Sequence, residues 1–105
     1  MEKAKVITMC GSLKFEDEIR KQTERLELEG NCVLSIIYPG NPNFDKDSYT
    51  PEQHQLFDKL HKQKIDMSDA IFVVNVNGYV GSSTKSEIAY AIAQGKEVLS
   101  LEPIE

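Results

Sequence analysis

The residues best suited to chemistry lie in one stretch, Gly81-Ser82-Ser83-Thr84-Lys85-Ser86-Glu87-Ile88-Ala89-Tyr90-Ala91, shortly after an apolar run, Ala70-Ile71-Phe72-Val73-Val74-Asn75-Val76. The run reads as a buried strand, the Gly/Ser segment as a turn and the rest as a helix whose opening carries a carboxylate. Such a turn offers backbone N–H groups, and a helix N-terminus favours negative charge. Glu87 is therefore expected ionised at the mouth of a pocket, where a carboxylate can act as a nucleophile. The same residues support a plainer reading. Thr84 and Glu87 have the spacing of a capping box, each satisfying an orphan N–H of the helix start. The two readings are compatible, because a carboxylate held by N–H donors has a lowered pKa and stays charged.

Other candidates are spread along the chain. His54, Asp58 and His61 fall on one face of a predicted helix. That face is a solvated polar surface, a pocket or dimer contact, or a divalent-metal site through imidazole and carboxylate. Tyr49 and Tyr79 sit in loops, where a ring can stack on a planar ligand or simply face solvent. Asn75 and Asn77 flank the end of a strand, and either hydrogen-bonds a ligand or shapes the turn. Lys14 is placed to meet an anionic group, or is an ordinary surface lysine. Cys10 and Cys32, the only cysteines, both fall in predicted buried strands and read as core thiols; Cys10 alternatively lines a pocket floor. Asp69 reads as a turn residue that sets up the strand after it. With Asp66 it lies at the sheet edge away from the pocket.

Four strands and three helices must position these groups. Lys5 to Cys10 is a strand that ends at Gly11-Ser12. Leu13 to Glu29 is a helix with Phe15, Ile19, Thr23 and Leu26 inward, stopped by Gly30-Asn31. Cys32 to Ile37 is the second strand. Tyr38 to Thr50 is a long loop, of a kind usually functional or disordered. Thr50 caps a second helix with Pro51 at its first position and Leu56, Leu60 and Met67 as its apolar stripe. Ala70 to Val76, Thr84 to Gln94 and Glu97 to Leu101 complete the alternation. Strands alternating with helices imply βαβ units and a parallel sheet. The expected architecture is a flavodoxin-like three-layer α/β/α domain over 1–105, with four to five parallel strands in the order 2-1-3-4. Right-handed crossovers bring the strand-to-helix turns to one edge, and the pocket to the switch point between the first and third strands.

Composition narrows the partners. The 105 residues are 40% hydrophobic and 28% charged, with a formal net charge of −5. That suits one globular domain and argues against nucleic acid, whose phosphates need a basic face. No apolar run approaches the roughly 20 residues of a membrane span, and the start of the chain lacks a signal-peptide core, so a cytoplasmic protein is expected. A sheet this small leaves apolar surface for a second copy to cover, which predicts a homodimer or higher homo-oligomer.

Taken together, Gly11-Ser12 after the first strand, Ser68-Asp69-Ala70 at the start of the third, and Ser83 to Ala91 with Gly95-Lys96 resemble the nucleoside 2-deoxyribosyltransferase superfamily, which includes deoxynucleoside 5′-monophosphate N-glycosidases. The resemblance covers nearly the whole chain in the order of its elements and rests on about three short motifs. It implies a doubly wound parallel sheet, usually in dimers or larger assemblies. It also implies cleavage or transfer at the N-glycosidic bond of a 2′-deoxynucleoside or its 5′-monophosphate, with no cofactor or metal. The glutamate matching Glu87 attacks C1′ as the nucleophile; the acidic partner's position falls at or near His61, with Asp58 the nearest carboxylate. Gly11, Ser12, Lys14, Tyr49, Asn75, Tyr79, Gly81, Ser83 and Thr84 would surround the substrate. Where the family often carries glycine around the turn, this chain has Ser83, Lys85 and Ser86. An alternative of the same fold is a catalytically inactive nucleotide-binding or sensing domain. A flavodoxin-type receiver is a weaker rival, because Cys10-Gly11-Ser12 stands where its acidic cluster would be.

Overall fold

The computed structural model describes residues 3–38, 40 and 48–104. Four parallel strands, β1 (Val6–Gly11), β2 (Cys32–Leu34), β3 (Ala70–Val74) and β4 (Glu97–Ser100), form one sheet in the order β2-β1-β3-β4. Ile7 pairs with Val33 on one side and Ala70 on the other, and Ala70 in turn with Glu97. The expected fold and strand order are thus observed.

Alternation along the two central strands sorts the core into two layers. Ile7 and Met9 of β1, with Ala70, Phe72 and Val74 of β3, pack against Ile19 and Leu26 of α1 (Glu16–Leu28). Cys10, Ile71 and Val73 face the other way, toward Ile65 of α2 (Pro51–Asp66) and Ala91 of α3 (Ser82–Ala93). Every residue of β3 is buried, as a strand covered on both faces requires. Asp69 sets the start of β3 as expected: its carboxylate accepts from the Val6 N–H at 2.8 Å.

Several boundaries differ from those expected. The segment opening at Leu13 begins with a 3₁₀ turn, Leu13–Phe15, whose start Ser12 caps by accepting from the Lys14 N–H. β2 ends at Leu34, not Ile37, although Ile36 remains buried. Cys32 is exposed, because it opens a short edge strand, so the expectation of two core thiols holds only for Cys10. Most of the loop expected over 38–50 lies outside the described residues.

The largest correction concerns α2. Thr50 and Pro51 start it as expected, and Gln53 completes a capping box with Thr50. Its orientation is otherwise. Leu56, Leu60 and Met67 are 50%, 44% and 62% exposed, while His61 and Ile65 are buried. The inward seam is Phe57, His61 and Ile65, spaced i, i+4, i+8. An imidazole with a polar partner on the sheet replaces an aliphatic side chain at its centre.

At Gly11 the chain turns out of β1 with φ +151°, and a Cβ there would meet the Val74 carbonyl oxygen at 3.1 Å. Both features disfavour any side chain. Gly11→Ala is expected to destabilise the domain by about 1–3 kcal/mol, measurable as a lowered urea midpoint; an unchanged midpoint would show that the turn relaxes freely.

Candidate active site

A cavity of about 520 Å³ opens at the sheet edge where β1 and β3 end. Gly11, Ser12 and Leu13 form one wall; Gly81, Ser82, Ser83, Thr84 and Glu87 the facing one; and His54, Phe57, Asp58 and His61 of α2 a third. Ile36, Ile37, Tyr49 and Tyr79 complete the lining. The switch-point pocket expected from the topology is present.

Of the residues singled out from sequence, Gly11, Ser12, Tyr49, Asp58, His61, Tyr79, Gly81, Ser83, Thr84 and Glu87 border this cavity. Lys14 and Asn75 do not. The Lys14 ammonium lies over the Tyr79 ring, 3.4 Å from its centroid, and holds the ring as a cation–π partner. Asn75 is buried and faces a second hollow of about 840 Å³. Its amide donates to the Glu102 carbonyl and accepts from the Glu102 N–H, both at 2.8 Å. It shapes the chain between β3 and the end of β4. That hollow is larger, but among the described residues no cluster of cysteine, histidine and carboxylate groups lines it.

Cys10, His61 and Glu87 come together from β1, α2 and α3. The Cys10 Sγ is 3.4 Å from His61 Nε2, and His61 Nε2 is 3.6 Å from Glu87 Oε1. Strand alternation puts Cys10 on the α2–α3 side of the sheet, and the Phe57–His61–Ile65 seam brings the imidazole onto it. The Cys10 sulfur and a Glu87 carboxylate oxygen lie within 4.8 Å of each other. From sequence, Cys10 stands open between core and pocket floor. The period-2 pattern of β1 is the available signal for its direction, but nothing local to the strand names its partners.

The electrostatics depart from expectation. Glu87 is neither in the first turn of α3 nor part of a capping box. The helix begins at Ser82 with Gly81 as a cap that has no side-chain hydrogen bond, so Glu87 lies in the second turn, beyond the unpaired N–H groups. Burial, with Asp58 adding repulsion, pushes its carboxyl up to about 7, against the smaller opposing pulls of Cys10 and Lys62. Burial, helped by Lys64, lowers His61 to about 4 despite Asp58. The Cys10 thiol is raised, by burial first and then by Glu87. At neutral pH the imidazole is therefore neutral, and the close His61–Glu87 approach is not an ion pair. Asp58 stands exposed at the mouth, paired with Lys62 at 3.1 Å.

A largely buried carboxyl that changes charge near neutrality, beside a neutral imidazole, can attack an electrophilic carbon or exchange a proton with a bound molecule. Among solved structures, the fold matches that of the CMP N-glycosidase BcmB of Clostridium botulinum, with a TM-score of 0.55 and 24% identity over 91% of this chain and 70% of that one. The two share a fold. No family model and no curated protein matches the chain. The three-layer arrangement implied by the deoxyribosyltransferase resemblance is thus the one observed, both in the topology and in a solved structure of like shape. Among the described residues no helix is long and apolar enough to cross a membrane.

Proposed function

We propose that this protein cleaves or transfers at the N-glycosidic bond of a 2′-deoxynucleoside or its 5′-monophosphate, with Glu87 as nucleophile. The observation that carries this reading is the largely buried Glu87 carboxylate facing the switch-point cavity. The shared fold with an enzyme named for acting on CMP supports it. Glu87 Oε bonds to C1′ as the C1′–N bond breaks, and the electron pair leaves with the base, which takes up a proton. Water or a second base then attacks C1′ and frees the carboxylate. Splitting the displacement in two places an anion beside an oxocarbenium-like transition state. Asp58 at the mouth and His61 beside the nucleophile are the groups we assign to relaying a solvent proton to the departing base. The N–H groups and hydroxyls of Gly81 to Thr84, with Ser12, suit the sugar and a 5′-phosphate. Tyr79, braced by Lys14 and set edge-on to Phe15 at 5.8 Å, suits stacking on the base. We assign the exposed Leu56, Leu60 and Met67 to a homodimer contact.

Incubation with nucleosides and 5′-monophosphates of both sugar series, CMP and dCMP included, is expected to release free base. Mass spectrometry of acid-quenched protein is expected to find the sugar on the Glu87 peptide. Binding of a monophosphate with no base released from any substrate would overturn the enzymatic reading in favour of a nucleotide-binding domain.

A further inference from the structure

Cys10, His61 and Glu87 each offer one ligand atom, and the three atoms lie within 4.8 Å of one another. We propose that these residues form a transition-metal site that takes Zn²⁺ through three protein ligands, with its fourth position facing the cavity. Metal occupancy and a working nucleophile are then mutually exclusive; this last clause rests on the function proposed above, whereas the site itself does not.

The geometry carries the site. In a tetrahedral zinc centre, ligand bonds of about 2.3 Å to sulfur and 2.0–2.1 Å to nitrogen and oxygen put neighbouring donor atoms roughly 3.3–3.6 Å apart. The Cys10–His61 and His61–Glu87 separations are 3.4 and 3.6 Å, so two edges of the tetrahedron already stand at their required length. The donors come from a strand and two helices rather than from loops, which fixes them in space.

Charge points to the same ion. On binding, the Cys10 thiol gives its proton to solvent, and so does Glu87 where it holds one. A thiolate and a carboxylate then balance a dication, leaving a neutral buried centre. His61 enters as a neutral imidazole, the form that ligates metals. The nearby Lys62 is neutralised by Asp58 at 3.1 Å, and the Lys64 ammonium is turned to the Ser35 carbonyl at 2.7 Å. A sulfur–nitrogen–oxygen donor set selects zinc or cobalt over magnesium and calcium, which prefer oxygen alone. His61 and Glu87 border the cavity while Cys10 is wholly buried, so the open position faces the substrate.

The test uses Co²⁺ as a spectroscopic probe in a Cys32→Ser background, which removes the exposed thiol. One equivalent is expected to give visible bands of a tetrahedral centre and an ultraviolet thiolate-to-cobalt band; Zn²⁺ should abolish both and Mg²⁺ should not. Cys10→Ser is expected to lose the thiolate band. Should that variant not fold, Glu87→Gln decides the matter, with Co²⁺ affinity expected to fall by roughly tenfold or more. Absence of stoichiometric binding, a thiolate band that survives Cys10→Ser, or unchanged affinity in Glu87→Gln would each overturn the site. Wherever base release is measurable, Zn²⁺ is expected to stop it and a chelator to restore it. Stoichiometric cobalt binding without inhibition would keep the site and overturn the exclusion.

Discussion

Replacing Glu87 by glutamine is expected to abolish base release and, at pH 8, to make the protein more stable. Loss of activity follows from removing the nucleophile. The gain in stability follows from burial. The folded carboxyl ionises near 7, against an ordinary 4.5, so keeping it charged at pH 8 costs the folded state about 3 kcal/mol. Between these two values the folded chain holds a proton that the unfolded chain has released, and wild-type stability falls as pH rises; above 7 the cost is complete. His61 has the opposite sign. Its folded value of about 4, below an ordinary 6.5, makes stability rise across pH 4 to 6.5. In wild type the two trends oppose each other; in Glu87→Gln only the histidine's remains. Thermal unfolding at pH 5 and pH 8 should show a small difference between the proteins at pH 5 and a higher midpoint for the variant at pH 8. Each kcal/mol moves the midpoint of a domain this size by about 4–8 °C. Equal destabilisation at both pH values would mean that the carboxylate is a structural hydrogen-bond partner rather than a strained functional group.

The second large effect is on the pH profile. Base release needs the ionised carboxylate, so kcat/KM is expected to climb from the acid side and level off above about pH 7, following Glu87. The groups acting on that carboxylate are Cys10, His61, Asp58 and Lys62. Asp58 raises its pKa and Lys62 lowers it, each as a charge at a distance. Asp58→Asn should therefore shift the rising limb to lower pH, and Lys62→Gln should shift it to higher pH, whatever either does to the plateau. Opposite displacements are what an electrostatic role requires and what simple damage to the pocket would not give. Limbs that stay in place in both variants would remove Glu87 as the group that governs the profile.

How far the sequence was legible depended on how local each signal was. The apolar runs of β1 and β3, the Gly30-Asn31 stop and the Thr50-Pro51 start are written in consecutive residues, and the strand order followed from the alternation of strands and helices. The orientation of α2 was not local. Leu56, Leu60 and Met67 repeat at helical spacing and suggest a seam, yet the residues that meet the sheet are Phe57, His61 and Ile65. The decision lay with Cys10, 51 residues away, which offers the imidazole a partner. The pKa of Glu87 was inverted for a similar reason. Sequence shows a carboxylate near a helix start, but helix α3 starts at Ser82, which leaves Glu87 in the second turn, and burial then outweighs the groups that favour its charge.

Helix α2 meets the rest of the domain unevenly. Through its first ten residues only Phe57 is even half-buried, and the two fully buried side chains, His61 and Ile65, both belong to its later turns. Local opening follows the scarcity of buried contacts, so among the described helices the leading turns of α2 are expected to open first. Those turns carry His54, Phe57 and Asp58, one side of the cavity's entrance. Transient fraying of this helix would then widen the way in, while the carboxylate at the far wall stays anchored on α3.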